Sequence, residues 1–373
     1  MAKKVNKKKR KQRIIMLIGI GTVSVFILVS LLTLIIRSLF ISKQSEQPQS
    51  QRIVATEDQY ADLDVDEVGE IPVLMYHGIH DDISNNETEY IGGNVDYDGY
   101  QRTGEAFRKD LDFYYENNYR CIRLSDYADG YIDCDAGTSP LVLTFDDGLD
   151  NNCFVTGVDE NGELIIDPGS AVGIMEEYKK KYPDMNITAT FFVTEGKFFQ
   201  PEYNDQILEW LVNHGYDVGN HTKTHVNFDY ATNEQAEEEV GYIYNMLDGI
   251  IPEKYVNIIA LPYGSPGDKS SEVMKHIYQC TFDGKEYATK AALLVGWKAN
   301  ESPFHPDFSK EQIKRIRAYD NNGEDFDIEY SFRELSVTRY ISDGDPDTVV
   351  VRNIKADQID KSKTKGKKVI IFE

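Results

Sequence analysis

The chain has 373 residues, and its 63 acidic against 40 basic side chains give a formal net charge of −23. That length holds one large domain or two small ones with a sizeable core, and such acidity argues against nucleic acid and anionic lipid as partners for the bulk of the chain. Four cysteines, Cys121, Cys134, Cys153 and Cys280, are too few and too irregularly spaced for a disulfide framework or a zinc-finger pattern. A Cys121–Cys134 pair and four free thiols are both open.

Residues 1–13 form a basic cluster: Lys3, Lys4, Lys7, Lys8, Lys9, Arg10, Lys11 and Arg13, with no acid among them. The 23 residues from Ile14 to Ile36 are uncharged and mostly aliphatic, which matches the roughly 20 needed for a membrane-spanning helix. A cleavable signal would have a shorter apolar stretch, about 7–15 residues, and a small-residue exit. Arg37-Ser38-Leu39-Phe40-Ile41 offers no such site. The expectation is therefore a single transmembrane signal anchor at the cell membrane, with the N-terminus cytoplasmic and the remainder extracellular. Nine of the basic residues lie before residue 41, so the exported part carries 31 basic against 63 acidic groups. Residues 37–70, rich in Gln, Ser, Asp and Glu towards their end, read as a flexible stalk.

From residue 71 to 373 short apolar runs alternate with helical patterns. Ile71 to Tyr76 is a strand expectation, and Glu105 to Tyr115 a helix with Phe107 and Leu111 on one face. Leu141 to Phe145 and Thr190 to Val193 read as buried strands. Between them, Phe154 to Ser170 reads as an inserted hairpin around the turn Asp159-Glu160-Asn161-Gly162. A helix over 205–213 precedes a strand at Tyr216 to Val218. Thr232 and Gln235 form a capping-box pattern before a helix with Ala236, Val240, Ile243, Tyr244 and Leu247 inward. Strands at Asn257–Leu261 and Ala291–Val295 enclose a helix around 270–279. This β-then-α order predicts an α/β fold with a parallel sheet closed as a barrel.

The chemistry-bearing residues fall at the C-terminal ends of these strands, where parallel α/β barrels collect their active sites. Asp146 and Asp147 follow one strand, His221 and His225 another, Pro262-Tyr263-Gly264 a third, and His77 a fourth. One carboxylate and two neutral imidazoles make a three-ligand set for a divalent metal with positions left over. The other carboxylate is then free to act as a base on a water. Two adjacent acids at the end of a buried run need a cation or a shared proton. The pattern points to hydrolysis.

Thr144-Phe145-Asp146-Asp147-Gly148, Ala189-Thr190-Phe191-Phe192-Val193 and Gly219-Asn220-His221-Thr222-Lys223-Thr224-His225 resemble the polysaccharide deacetylases, the NodB-homology family 4 of carbohydrate esterases. The resemblance covers residue 71 to the C-terminus and implies a distorted parallel (β/α) barrel. It implies Asp146 as general base and Asp147, His221 and His225 as ligands of Zn2+, with Co2+ or another divalent ion as alternatives. The substrate would be an N-acetylglucosamine polymer losing its acetyl groups. An oxyanion would rest on the metal and on the backbone N–H of Tyr263 in the Pro262 turn. Two departures stand out. The family's third-motif arginine position holds Ala260, and its C-terminal Leu-x-x-His motif is missing beyond His305.

Pro72-Val73-Leu74-Met75-Tyr76-His77 is similar to the start of the poly-N-acetylglucosamine deacetylase-like branch, in which that early histidine serves as acid, and so implies His77 as general acid. Arg339 is the expected substitute for the missing guanidinium. Trp297 is expected either to wall an acetyl pocket or to pack in the core. Two rivals remain: an inactive member that binds glycan or wall, and a metal amidohydrolase with a small substrate.

Overall fold

The computed structural model describes residues 52–80, 92–96, 98–324 and 327–373, and residues 53–373 form one unit. The basic cluster and the apolar stretch 14–36 lie outside the described residues. Among the described residues no helix is long and apolar enough to cross a membrane.

Eight strands build the central sheet: β1 (Val73–Tyr76), β2 (Tyr119–Cys121), β3 (Ser139–Phe145), β4 (Thr190–Val193), β5 (Asp217–Asn220), β6 (Ile258–Ala260), β7 (Ala291–Leu293) and β8 (Ile316–Arg317). Their order is β7-β6-β5-β4-β3-β1-β8, with β2 pairing beside the start of β3. Every pairing in the sheet is parallel. Leu293 of β7 also makes a parallel bridge to Ile313, just before β8, so the two ends of the sheet meet. The result is a curled, distorted barrel with helices outside, in line with the expected class.

Alternation along the strands sorts side chains into two cores. Leu74, Tyr76, Leu143, Phe145 and Phe191 point outward onto Phe107, Leu111, Ile174, Ile207 and Leu211 of the surrounding helices. Val73, Val142, Phe192, Ala260, Leu293 and Ile313 fill the interior. All seven residues of β3 are buried, as a continuous apolar run in a two-sided parallel strand should be. Each such aliphatic or aromatic side chain contributes about 1.5–3 kcal/mol by leaving water.

The outer helices are α1 (Gly104–Glu116), α2 (Ala171–Lys181), α3 (Asn204–Asn213), α4 (Asn233–Ile250), α5 (Glu272–Tyr278) and α6 (Ile328–Thr338). The capping box of α4 forms as its sequence predicts: Gln235 N–H donates to Thr232 Oγ1, and Thr232 N–H to Gln235 Oε1. The inserted hairpin is present as antiparallel strands Val155–Val158 and Leu164–Ile166. Asp159 Oδ1 closes its turn by accepting from the N–H groups of Asn161 and Glu163.

The end of the expected stalk is corrected. Residues 53–70 pack into the fold, with Ala55, Tyr60 and Val65 buried against Val350. Glu67 is the keystone: its carboxylate accepts from Tyr340 Oη and from the N–H groups of Asp343 and Val350. Burial, with Asp343 nearby, pushes this carboxyl well above its ordinary pKa. The partner surface is a C-terminal parallel pair, Thr348–Arg352 with Lys368–Phe372. Polar composition concealed this docking, because a few apolar side chains and one buried glutamate carry it.

Candidate metal and catalytic site

Asp146 and Asp147 follow β3, His77 follows β1, His221 follows β5 and the Pro262 turn follows β6. The chain reaches these positions through backbone conformations that side chains rarely adopt. Asp147 (φ +72°), Thr222 (+64°), His225 (+58°) and Tyr263 (+57°) all lie in the left-handed region. Each costs of order 1–3 kcal/mol, and such strain gathers where side-chain placement matters. Gly148 (φ +60°) allows the chain to leave Asp147, since a Cβ there would sit 2.4 Å from the Lys197 carbonyl oxygen.

The loop carrying the two histidines is tied down along its length. Asn220 Oδ1 accepts from Thr222 N–H while its amide donates to the Val240 carbonyl of α4. Glu239, also on α4, accepts from Thr224 N–H and Oγ1 at 2.7 Å each. The histidines are therefore positioned by β5 and α4 together.

His221 Nδ1 lies 2.8 Å from the Ala260 carbonyl oxygen. A carbonyl only accepts, so Nδ1 carries a proton and Nε2 is the atom turned to the site. His221 Nε2 faces Asp147 Oδ1 at 3.1 Å, and His225 Nε2 lies 3.5 Å from the same oxygen. His221 Nε2 is buried and has no hydrogen-bond partner. Against its burial, the charges of Asp146 and Asp147 raise the pKa of the His221 ring, so this gap suits a positive charge, either a ring proton or a metal ion. The three ligand atoms all lie within 4.8 Å of one another, against about 3.3 Å for tetrahedral ligands around zinc at 2.0–2.1 Å. The residues fit a divalent metal. The Ala260 carbonyl orients the imidazole from behind, as such ligands require.

Asp146 lies beside this set but turns to a different partner. The residue is 2 % exposed, and Arg315 grips its carboxylate in a two-pronged pair, Nη1–Oδ1 2.8 Å and Nη2–Oδ2 2.7 Å. Burial alone would push the Asp146 carboxyl up. The Arg315 charge, helped by His221, outweighs it and holds the group well below the usual carboxylate range. Arg315 is itself fully buried and held by the Leu294 carbonyl (Nε, 2.8 Å) and Thr144 Oγ1 (3.1 Å). Gly296 makes room for it, because a Cβ there would lie 1.5 Å from the Arg315 carbonyl oxygen.

This corrects the expectation for Arg339. That side chain donates to the Asn117 carbonyl and lies over the Tyr119 ring, while the guanidinium on Asp146 comes from the residue before β8. The sequence signal was weak: Lys314-Arg315-Ile316-Arg317 reads as a basic run, and its strand is two residues long.

Burial lowers the pKa of the His77 ring, while the charges of Asp146 and Asp147 oppose that shift. Its Nδ1 is buried without a hydrogen-bond partner among the described residues, and its ring meets Tyr100 edge-on at 4.8 Å. Tyr263 is 63 % exposed and packs edge-on against His225 at 4.7 Å, with Pro262 buried beneath it. Trp297 is 59 % exposed beyond β7, which removes the core-packing reading. Among the other histidines, His276 pairs with Glu237 and His214 stacks on Trp210, both away from the metal set. All four cysteines are free and buried.

Residues 170–279 match the family model described as polysaccharide deacetylase. The match begins where the inserted hairpin ends, so the insertion separates the Asp146–Asp147 pair from the matched segment. Among solved structures, the Streptococcus pyogenes deacetylase PplD in complex with acetate aligns at 16 % identity and TM-score 0.47, over 68 % of this chain and 94 % of that one. A de-N-acetylase from Aggregatibacter actinomycetemcomitans aligns at 14 % identity and TM-score 0.42, over 66 % and 94 %. A family 4 acetyl xylan esterase from Clostridium thermocellum in complex with a cobalt ion aligns at 17 % identity and TM-score 0.27, over 45 % and 62 %. No curated protein matches at a significant level. The matched segment, which holds His221, His225 and the Pro262 turn, is what this chain has in common with the polysaccharide deacetylase model.

Proposed function

We propose that the chain is a metal-dependent N-deacetylase of an N-acetylglucosamine-containing cell-surface or cell-wall polysaccharide. One observation carries the reading: Asp147 Oδ1 lies 3.1 Å from His221 Nε2 and 3.5 Å from His225 Nε2, so one carboxylate and two imidazoles converge on a single point. Asp147, His221 and His225 would hold the ion, most naturally zinc, given two imidazoles and one carboxylate. A divalent ion held there supplies Lewis acidity toward an acetyl carbonyl and lowers the pKa of water.

The remaining work falls to this chain's own side chains. Asp146 takes a proton from the water whose oxygen adds to the acetyl carbon. Arg315 keeps that carboxylate ionised and aimed, since both of its oxygens are gripped. The N–H of Tyr263 is the expected donor to the developing oxyanion. His77 gives a proton to the sugar nitrogen as the C–N bond breaks, so acetate leaves and the amine stays on the sugar. Trp297 and Tyr263 offer exposed aromatic faces on which a sugar can stack.

Arg315 also bears on the rival of an inactive glycan binder, which drew on the absent third-motif arginine. A guanidinium in that role is present from another strand. The basic cluster and the apolar stretch 14–36 support a membrane anchor with the site outside the cell.

The test is acetate release from N-acetylglucosamine oligomers by the chain from residue 45, with added zinc or cobalt. Release should vanish with a chelator and in Asp146→Asn. Release that persists in Asp146→Asn would remove the assigned base. A folded, metal-loaded protein that releases nothing from any glycan offered would leave the binding reading in its place.

A further inference from the structure

Arg317 stands apart from the other arginines of the fold. Arg102, Arg108, Arg120, Arg123, Arg315 and Arg352 each pair with a carboxylate. Arg333 and Arg339 donate to backbone carbonyls. Arg317 makes neither contact among the described residues. Its guanidinium lies over two tyrosine rings instead, 4.1 Å from the centroid of Tyr319 and 5.2 Å from that of Tyr100.

Its position is set by register. Arg317 pairs with Met75, which pairs in turn with Thr144, so it belongs to the interior face at the active-site end of the sheet. His77 is two residues beyond Met75 and Asp146 two beyond Thr144. Tyr100 touches both Arg317 and His77, the latter at 4.8 Å. The loop beneath is fitted for this contact. Gly99 adopts φ +69°, and a Cβ there would lie 1.9 Å from the Tyr319 ring. Asp96 fixes the next turn by accepting from the N–H groups of Tyr100 and Gln101.

We propose that Arg317, between Tyr100 and Tyr319, is an anion subsite beside His77, reading a phosphate ester or carboxylate on the sugar next to the one deacetylated. The inference rests on the deacetylase reading for what happens at the neighbouring sugar, and on geometry for the subsite itself. Rings on the face of a guanidinium leave its edge N–H groups for a planar or tetrahedral oxyanion. A half-buried cation with no acidic partner among the described residues is unusual in a chain with 63 acidic residues. An anionic polymer approaching so negative a domain needs one local positive group to dock against. The flanking tyrosines supply faces for the sugar ring.

Calorimetry with three tetramers tests this: neutral N-acetylglucosamine tetramer, the same tetramer with one 6-phosphate, and one whose alternate sugars carry a lactyl-ether carboxylate. One charged tetramer should bind about 10-fold tighter than the neutral one, the scale of one charge-assisted contact. Arg317→Gln should reduce that preference to about 2-fold or less, Arg317→Lys should keep part of it, and high salt should shrink it. Which charged tetramer wins separates phosphate from carboxylate. Equal binding of all three by the unaltered protein, or a preference that survives Arg317→Gln, overturns the subsite. Acetate release is scored in parallel: a charge preference without release counts against the deacetylase reading alone, and release without preference against the subsite alone.

Discussion

Replacing Arg315 by methionine isolates what the buried pair does for the fold. Arg315 is fully buried and Asp146 is 2 % exposed, so the substitution leaves a carboxylate inside the barrel without its cation. Breaking such a pair from one side costs about 3–5 kcal/mol. Unfolding entropy of about 2 cal/mol/K per residue gives the unit 53–373 roughly 0.7 kcal/mol/K, so the melting temperature should fall by about 4–8 °C. The paired substitution Arg315→Met with Asp146→Leu removes both charges and should recover most of that loss, since apolar replacement of a buried pair is often neutral. The assay is thermal unfolding of the metal-free protein at neutral pH for both single variants and the double. A loss below about 1 kcal/mol in Arg315→Met, or a double variant no better than the single, would refute the claim that Arg315 neutralises Asp146 in the folded state.

Zinc added to metal-free protein at about 100 times its Kd should stabilise it by about 2.7 kcal/mol; His221→Ala should abolish the shift, and a shift that persists would place the ion elsewhere. Asp217 offers a pH test, since burial raises its carboxyl to about 6 against the pull of Arg123. A raised carboxyl stabilises the fold in its protonated form, so its contribution is full below the unfolded value near 3.8 and is lost as pH rises through 6. Asp217→Asn should therefore gain up to about 3 kcal/mol on the unaltered protein at pH 7.5 and lose that gain by pH 4; a difference constant across this range would contradict the assignment. Glu67→Ala leaves the Tyr340 hydroxyl and the Asp343 and Val350 N–H groups without their acceptor, at about 1–3 kcal/mol each. Limited proteolysis should then cut first within 53–70 or after residue 340, and an unchanged cleavage pattern would show that Glu67 is not the keystone.

What could be read in advance was what local sequence specifies. The run Leu141–Phe145 announced a two-sided strand, the Thr232–Gln235 pair announced its helix, and Asp159-Glu160-Asn161-Gly162 announced the hairpin turn, because each signal is complete within a few residues. Asp147, His221 and His225 converge because two of them sit on one tight loop and the third ends a strand close by in the sheet. The docking of 53–70 was not legible, because its partners lie some 270 residues away and the join is made by hydrogen bonds to Glu67.

Arg315 is the more instructive miss. A carboxylate buried at the end of β3 needs a cation at its oxygens, and that need fixes where the donor nitrogens must end, not which strand carries them. An arginine stem is long enough to reach Asp146 from the segment that closes the barrel beside β1. Once the residue before β8 supplies that brace, Ala260 is released from carrying it and is left with its carbonyl on His221. The same strand, two residues on, turns Arg317 to the same face and toward Tyr100. The three residues Arg315–Arg317, with Ile316 as their one apolar member, thus set both the charge state of Asp146 and the charge beside Tyr100.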